Sequence, residues 1–213
     1  MPHDLTIWGV GSSRTMRVHW MLLELGLEYE FHPWPPRSSE TLTNQFEHLN
    51  PRLKIPVLRH RSFVLTESAA IVQYLADTFG NPNAFYLPAN PAERAPVNEW
   101  NYFVISELDA ASLYIIRRHQ GLKDIYGDAP IAVASAQNYF IRNLEAMAPR
   151  LQSSKPYLFG DLLSVADLLL TTCLDWALSL KILLPESFRQ YRERVSSRPV
   201  YKAALKRNFP AKQ

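Results

Sequence analysis

The chain has 213 residues, of which 47% are hydrophobic, 20% charged and 12% aromatic, with a formal net charge of +3, 7 glycines, 16 prolines and 1 cysteine. This balance is that of a globular protein rather than a disordered one. The glycine shortage and the absence of G-x-x-x-x-G-K-[ST] argue against a phosphate-cradling P-loop, and one cysteine cannot make an intramolecular disulfide, a C-x-x-C redox centre or a cysteine-rich zinc site.

The opening Met1-Pro2-His3-Asp4 lacks a basic segment followed by an apolar run, so no secretory leader is expected. Leu5 to Trp8 reads as a short strand stopped by Gly9 and Gly11. From Arg14 to Leu25 the apolar residues recur with a helical period, and Gly26 closes the helix. Tyr29 and Phe31 suggest a second strand, broken by Pro33, Pro35 and Pro36. A short helix is expected from about Glu40 to Leu49, then strands at Ile55–Leu58 and Phe63–Leu65, then a helix from Glu67 to Phe79 ended by Gly80. The order β-α-β-α-β-β-α makes one α/β unit over residues 1–80.

Residues 81–91, polar and rich in proline, form the expected linker. Residues 92–213 read as an all-helical domain, with helices at about 92–120, 130–152, 164–180, 186–196 and 199–207. The apolar region Leu162–Leu184 is broken by Asp167, Asp175 and Lys181, which fits a buried core helix rather than a membrane span. The positive charge is concentrated near the end, where residues 189–213 carry eight Lys or Arg against Glu193 alone. A solvated helix end explains that run better than nucleic-acid binding. None of the six histidines forms an i, i+4 pair or joins a carboxylate cluster, so no metal site is expected. Gly9-Val10-Gly11 lacks the third glycine and the ribose-binding acid of a dinucleotide fingerprint.

Three stretches carry the chemistry: Ser12-Ser13-Arg14-Thr15-Met16-Arg17-Val18, Lys54-Ile55-Pro56-Val57-Leu58, and Thr66-Glu67-Ser68-Ala69-Ala70-Ile71. The serines open a helix, where main-chain N–H groups and the helix dipole favour an anion, although either could simply cap it. Ser164-Val165-Ala166-Asp167 fits a capping box with Leu163 and Leu168 as its apolar staple, a structural element. Together with Gly160, and in this order and spacing, the motifs make the chain resemble the cytosolic glutathione S-transferases of serine type, bacterial-like members similar to the phi, zeta and theta classes.

The resemblance implies a thioredoxin-like N-terminal domain joined to an all-α C-terminal domain. It implies that Ser12 or Ser13 hydrogen-bonds the glutathione sulfur and stabilises its thiolate. Aligned on Arg17-Val18, Ser12 matches the phi- and zeta-like serine, while a theta- or delta-like count selects Ser13. The zeta Ser-Ser-Cys signature has Arg14 in its third place here, which puts zeta-type isomerase activity in question. Ile55, before a proline that is cis in the family, would pair with the cysteinyl backbone of glutathione. Glu67 and Ser68 would hold the γ-glutamyl end, and Lys54 either contacts the glycine carboxylate or stays in solvent. Trp34, Trp100, Tyr102, Phe103 and Ser106 are candidates for an electrophile pocket between the domains, with core packing as the alternative for each. Glutathione is thus a cosubstrate and no cofactor is implied. The partners implied are glutathione and an apolar electrophile in a cytoplasmic homodimer, without membrane or nucleic acid. A non-catalytic ligand-binding protein and a glutathione-dependent isomerase or dehalogenase are the alternatives. Two family features are absent: Leu53 stands where glycine often precedes Lys-Ile-Pro, and Arg59-His60-Arg61-Ser62 replaces an Asp-Gly turn.

Overall fold

The computed structural model describes residues 4–152 and 155–210; His3 and Lys212, counted above, lie outside them. In the first unit, β1 (Leu5–Trp8) leads into α1 (Ser13–Glu24), β2 (Glu30–His32), a single 3-10 turn, α2 (Asn44–Leu49), β3 (Val57–His60), β4 (Phe63–Thr66) and α3 (Ser68–Phe79). The sheet order is β2-β1-β3-β4, with β1 parallel to β2 and antiparallel to β3, and β3 antiparallel to β4. This is a thioredoxin-like arrangement. Its core is made by Ile7, Val18, Trp20, Leu22, Leu58, Ile71, Val72 and Leu75, all completely buried.

The β3–β4 hairpin forms without glycine. His60 pairs with Phe63, so Arg61 and Ser62 alone make the turn, and Arg61 takes φ +56°. A two-residue hairpin loop needs a left-handed first residue to match the strand twist. Leu53 likewise sits at φ +54°. The backbone therefore keeps the geometry that glycine usually supplies, at about 1–2 kcal/mol per non-glycine residue.

The segment 196–213 groups with residues 1–87. Its helix α10 (Pro199–Asn208) lies on α1. Arg198 donates to the Glu24 carboxylate at 2.7 and 2.8 Å, and Trp20 meets Tyr201 edge to face at 5.0 Å. No local pattern in the sequence records this attachment, because both partners of each contact sit in ordinary amphipathic helices.

The second unit, residues 88–195, is helical. It contains α4 (Pro91–Phe103), α5 (Tyr114–Ile116), α6 (Lys123–Tyr126), α7 (Pro130–Gln152), α8 (Val165–Ser179) and α9 (Glu186–Ser196). Between α4 and α6 the helix widens to π geometry over Val104–Leu113 and Arg117–Gly121. The Ser112 hydroxyl donates to the Glu107 carbonyl five residues back at 2.6 Å, a side-chain competitor for the helix ladder. The α8 capping box forms as the sequence indicated: Ser164 Oγ accepts from the Asp167 N–H at 3.3 Å, and the Ser164 N–H donates to Asp167 at 2.8 Å. The buried Asp167 also accepts from the Leu158 N–H and the Tyr191 hydroxyl. Burial pushes its carboxyl up, and these three donors together with the Ser164 hydroxyl, which donates to it at 2.6 Å, pull it back. Much of the basic C-terminal run is engaged within the fold: Arg189 with Glu186 and Glu193, Arg192 with Asp175, and Arg198 with Glu24. Among the described residues no helix is long and apolar enough to cross a membrane.

Candidate functional site

Strand register brings the three chemistry-bearing stretches to one end of the sheet. Trp8, the last residue of β1, pairs with Val57, the first of β3, and Val57 pairs with Thr66, the last of β4. Residues 9–12, 55–56 and 67–68 therefore leave or enter the sheet side by side. Gly9 confirms the closeness: at φ +121°, an added Cβ would fall 2.6 Å from Ile55 Cβ and 2.9 Å from Thr15 Cγ2.

Ser12 is the N-cap of α1 and forms a full capping box with Thr15. Its hydroxyl oxygen accepts from the Thr15 N–H at 3.1 Å, and its own N–H donates to Thr15 Oγ1 at 3.0 Å. Ser13, half-buried at the first helical position, makes no side-chain hydrogen bond among the described residues. The two hydroxyls thus differ. One is held in place by a main-chain bond, and the other is a free rotor.

The Ile55–Pro56 peptide is cis. Neither the N–H nor the C=O of Ile55 makes a hydrogen bond among the described residues. Asn50, which the sequence reading passed over, shapes the approach to it. Its side-chain amide donates to the Lys54 carbonyl at 2.7 Å and accepts from the Arg52 N–H at 3.1 Å. Lys54 itself is exposed.

Glu67 precedes α3 with φ 68° and ψ 113°, a combination rare for any residue with a side chain and one that costs about 1–3 kcal/mol. This geometry leaves its carboxylate exposed, where Arg52 Nη1 meets it at 2.6 Å. Ser68 is buried, and its hydroxyl accepts from Arg17 Nη1 at 3.0 Å, with Arg17 only 1% exposed. Accepting from Arg17 leaves the Ser68 proton available to a carboxylate. Arg17 is a partner that the motif reading used only as an alignment anchor.

Behind Gly9, His19 Nε2 lies 2.9 Å from the Gly9 carbonyl and Nδ1 lies 2.8 Å from the Tyr29 hydroxyl. A carbonyl only accepts, so Nε2 carries the proton and Nδ1 accepts from Tyr29. Burial pushes the His19 pKa below its ordinary value, and the positive Arg207 nearby acts in the same direction.

The candidate electrophile-pocket residues have varied surroundings. Trp34 is half-buried and packs edge to face on Phe46 at 5.7 Å. Trp100 is 2% exposed, against Phe103 at 5.8 Å and beneath the Arg150 guanidinium. Tyr102 is 69% exposed, and the exposed Ser106 turns its hydroxyl back to the Tyr102 carbonyl at 2.7 Å. Cys173 is buried in α8. Among the described residues there is no cluster of His, Cys, Asp and Glu able to hold a metal ion.

Comparison with known proteins agrees with this layout. Residues 11–78 match the glutathione S-transferase N-terminal domain, and residues 107–199 match the C-terminal domain. The chain is 37% identical to Protein LigF of Sphingobium over 83 residues, which is 39% of this chain and 32% of that protein, so the match spans about a third of that relative's length. It is 30% identical to maleylacetoacetate isomerase of Mus musculus over 162 residues, 75% of this chain and 71% of that one. A glutathione transferase homologue from Lodderomyces elongisporus, solved with two glutathione molecules per subunit, superposes with a TM-score of 0.86 at 22% identity, covering 98% of this chain and 99% of that one. The theta class enzyme of Xanthomonas axonopodis pv. citri, solved with glutathione bound, gives 0.80 at 26% identity, covering 100% and 99%. With both domain signatures in order on a thioredoxin-like unit and a helical unit, the chain belongs to the glutathione S-transferase family.

Proposed function

We propose that this protein is a serine-type glutathione transferase that conjugates the glutathione thiolate to small apolar electrophiles. The observation that carries this reading is the convergence at one sheet end of a capped helix N-terminus, an unpaired main-chain edge at Ile55, and an exposed carboxylate beside a buried hydroxyl at Glu67 and Ser68. The Ile55 N–H and C=O bind the cysteinyl backbone in the manner of a neighbouring strand. The Ser68 hydroxyl and the first N–H groups of α3 take the γ-glutamyl carboxylate, while Glu67 takes the α-ammonium. Lys54, exposed beside this edge, takes the glycine carboxylate.

The thiol then lies at the N-terminus of α1. An ordinary thiol has a pKa near 8.5. Ser12 is the better of the two hydroxyls to lower it. Its oxygen already accepts from the Thr15 N–H, which fixes its position and polarises its own O–H toward the sulfur. The thiolate attacks an electrophilic carbon and forms a carbon–sulfur bond, with release of a leaving group where the carbon bears one. Trp34, Trp100, Tyr102, Phe103 and Ser106 remain the residues proposed for the electrophile side, and a cytoplasmic homodimer remains the proposed assembly. The domain division 1–80, 81–91 and 92–213 is proposed as the functional one, with the last helix contributing to the first unit.

The likeness to maleylacetoacetate isomerase favours a second reading, glutathione-dependent isomerisation. Arg14 in place of the third residue of the zeta Ser-Ser-Cys signature weighs against it. Titrating bound glutathione by its thiolate absorbance against pH tests the main proposal: a depressed thiol pKa is expected, and an ordinary one would overturn it. Conversion of a cis-enoic diacid to its trans isomer without consumption of glutathione would select the second reading.

A further inference from the structure

Asn208, the last residue of α10, is fully buried and reaches the start of α1, about two hundred positions earlier in the chain. Carbonyls in the final turn of a helix have no intrahelical donor. The Asn208 carbonyl accepts from the Gly11 N–H at 2.8 Å. Its side-chain Nδ2 donates to the Ser12 carbonyl at 3.0 Å, and its Oδ1 accepts from the Thr15 hydroxyl at 2.6 Å. The amide orientation is chemically fixed, since the Ser12 carbonyl can only accept. Three bonds from one residue therefore fall on Gly11, Ser12 and Thr15, the turn that would face the glutathione sulfur.

These bonds also decide where protons go. The Thr15 hydroxyl has one proton and three acceptors in reach: Asn208 Oδ1 at 2.6 Å, the Ser12 carbonyl at 2.9 Å and Ser12 Oγ at 3.0 Å. Asn208 is the shortest and takes it. Nδ2 meanwhile occupies the Ser12 carbonyl. Thr15 Oγ1 is left with lone pairs facing Ser12, and it accepts the Ser12 N–H at 3.0 Å. Ser12 Oγ accepts from the Thr15 N–H at 3.1 Å and remains a donor, so its proton can serve Thr15 Oγ1 or a ligand outside the turn. Without the Asn208 side chain, the Thr15 hydroxyl and the Ser12 carbonyl would each lose a buried partner, and the Ser12 turn would be held less firmly.

We propose that Asn208 is a positioning residue for thiolate formation, acting through Thr15 and the Ser12 main chain. The inference rests on the transferase reading above. The helix that carries it has independent fasteners in Arg198–Glu24 and Trp20–Tyr201, so the side chain can be changed without releasing α10.

The test compares wild type with Asn208→Ala, Thr15→Val, Thr15→Ser and the Asn208→Ala/Thr15→Val double variant. The readouts are the thiol pKa of bound glutathione, and kcat and KM with a chlorinated nitroaromatic electrophile. Asn208→Ala is expected to raise the bound thiol pKa by about one unit, equivalent to about a tenfold loss of thiolate at a pH below both values. The kcat should fall in step, while KM for glutathione stays within about twofold, because binding through Ile55, Glu67 and Ser68 is untouched. Thr15→Ser should restore wild-type behaviour that Thr15→Val loses, and Asn208→Ala should add little on top of Thr15→Val. A wild-type thiol pKa in Asn208→Ala, or full additivity in the double variant, would overturn the proposal. Should Asn208→Ala not fold, Asn208→Ser serves, since serine cannot make both side-chain bonds at once and should raise the thiol pKa likewise. An ordinary thiol pKa in the wild type itself would defeat the transferase reading and this one together, which separates the two failures.

Discussion

Replacing Ser12 with alanine separates the cap that this hydroxyl makes from the thiol contact proposed for it. As N-cap, Ser12 Oγ satisfies the Thr15 N–H at 3.1 Å, a contribution of about 1 kcal/mol to stability. As proposed thiol partner, it donates one hydrogen bond to an ionised acceptor, about 1.5–3 kcal/mol. That is equivalent to about one or two pKa units, moving a thiol from near 8.5 to near 7. At pH 7 the thiolate fraction would be about one half with Ser12 and about 3% without it, so kcat limited by thiolate should fall about 15-fold in Ser12→Ala. Ser12→Thr keeps a capping hydroxyl and should retain most of the effect. Ser13→Ala removes a hydroxyl with no structural bond, so both stability and thiol pKa should stay at wild-type values. The assay is thiolate absorbance of bound glutathione against pH, alongside urea unfolding followed by tryptophan fluorescence. If Ser13→Ala, and not Ser12→Ala, raises the thiol pKa, the argument from a pre-positioned donor is wrong.

Other positions test the frame around the site. Gly9→Ala would place a Cβ 2.6 Å from Ile55 Cβ at a φ of +121°, so the Ile55 edge must move; glutathione affinity measured calorimetrically should drop at least about tenfold. Arg61→Gly relieves a left-handed residue in the β3–β4 turn and should raise the free energy of unfolding by about 1 kcal/mol, with no change in glutathione binding. His19 is held neutral by burial, with its folded pKa below the ordinary 6.5. Its contribution is therefore complete above about pH 6.5 and is lost as pH falls toward the folded value, where the unfolded chain binds the extra proton. His19→Phe should lose that component of the acid destabilisation seen in urea titrations between neutral and mildly acidic pH; an unchanged pH dependence would refute the assignment.

The parts legible in the sequence were those with short-range causes. The α1 and α8 starts follow from Ser12 and Ser164 at N-cap positions ahead of apolar helical periods. The helical run after the linker was visible from its spacing, but its π widening was not, because apolar periodicity does not record which carbonyl each N–H takes. The turns at Leu53 and Arg61 had lost their glycine signal, yet both residues take the left-handed geometry, which at Arg61 the register of β3 with β4 requires. Tertiary pairing overrode local preference there.

What the sequence could not disclose is the set of polar bonds between distant elements. Arg17 reaches Ser68, His19 reaches Gly9 and Tyr29, and Asn208 reaches Ser12 and Thr15. Arginine, histidine and asparagine in amphipathic helices read as surface residues, and only burial distinguishes these. The consequence is specific to function. The motif residues supply the groups proposed to touch glutathione, whereas the buried residues fix where those groups point. A serine at a helix start is common and chemically neutral. The proposed role as a thiol-directed donor needs its oxygen held by a main-chain bond, the threonine beside it anchored by a buried partner, and its carbonyl pinned. In this chain α1 supplies the first condition and Asn208 supplies the other two.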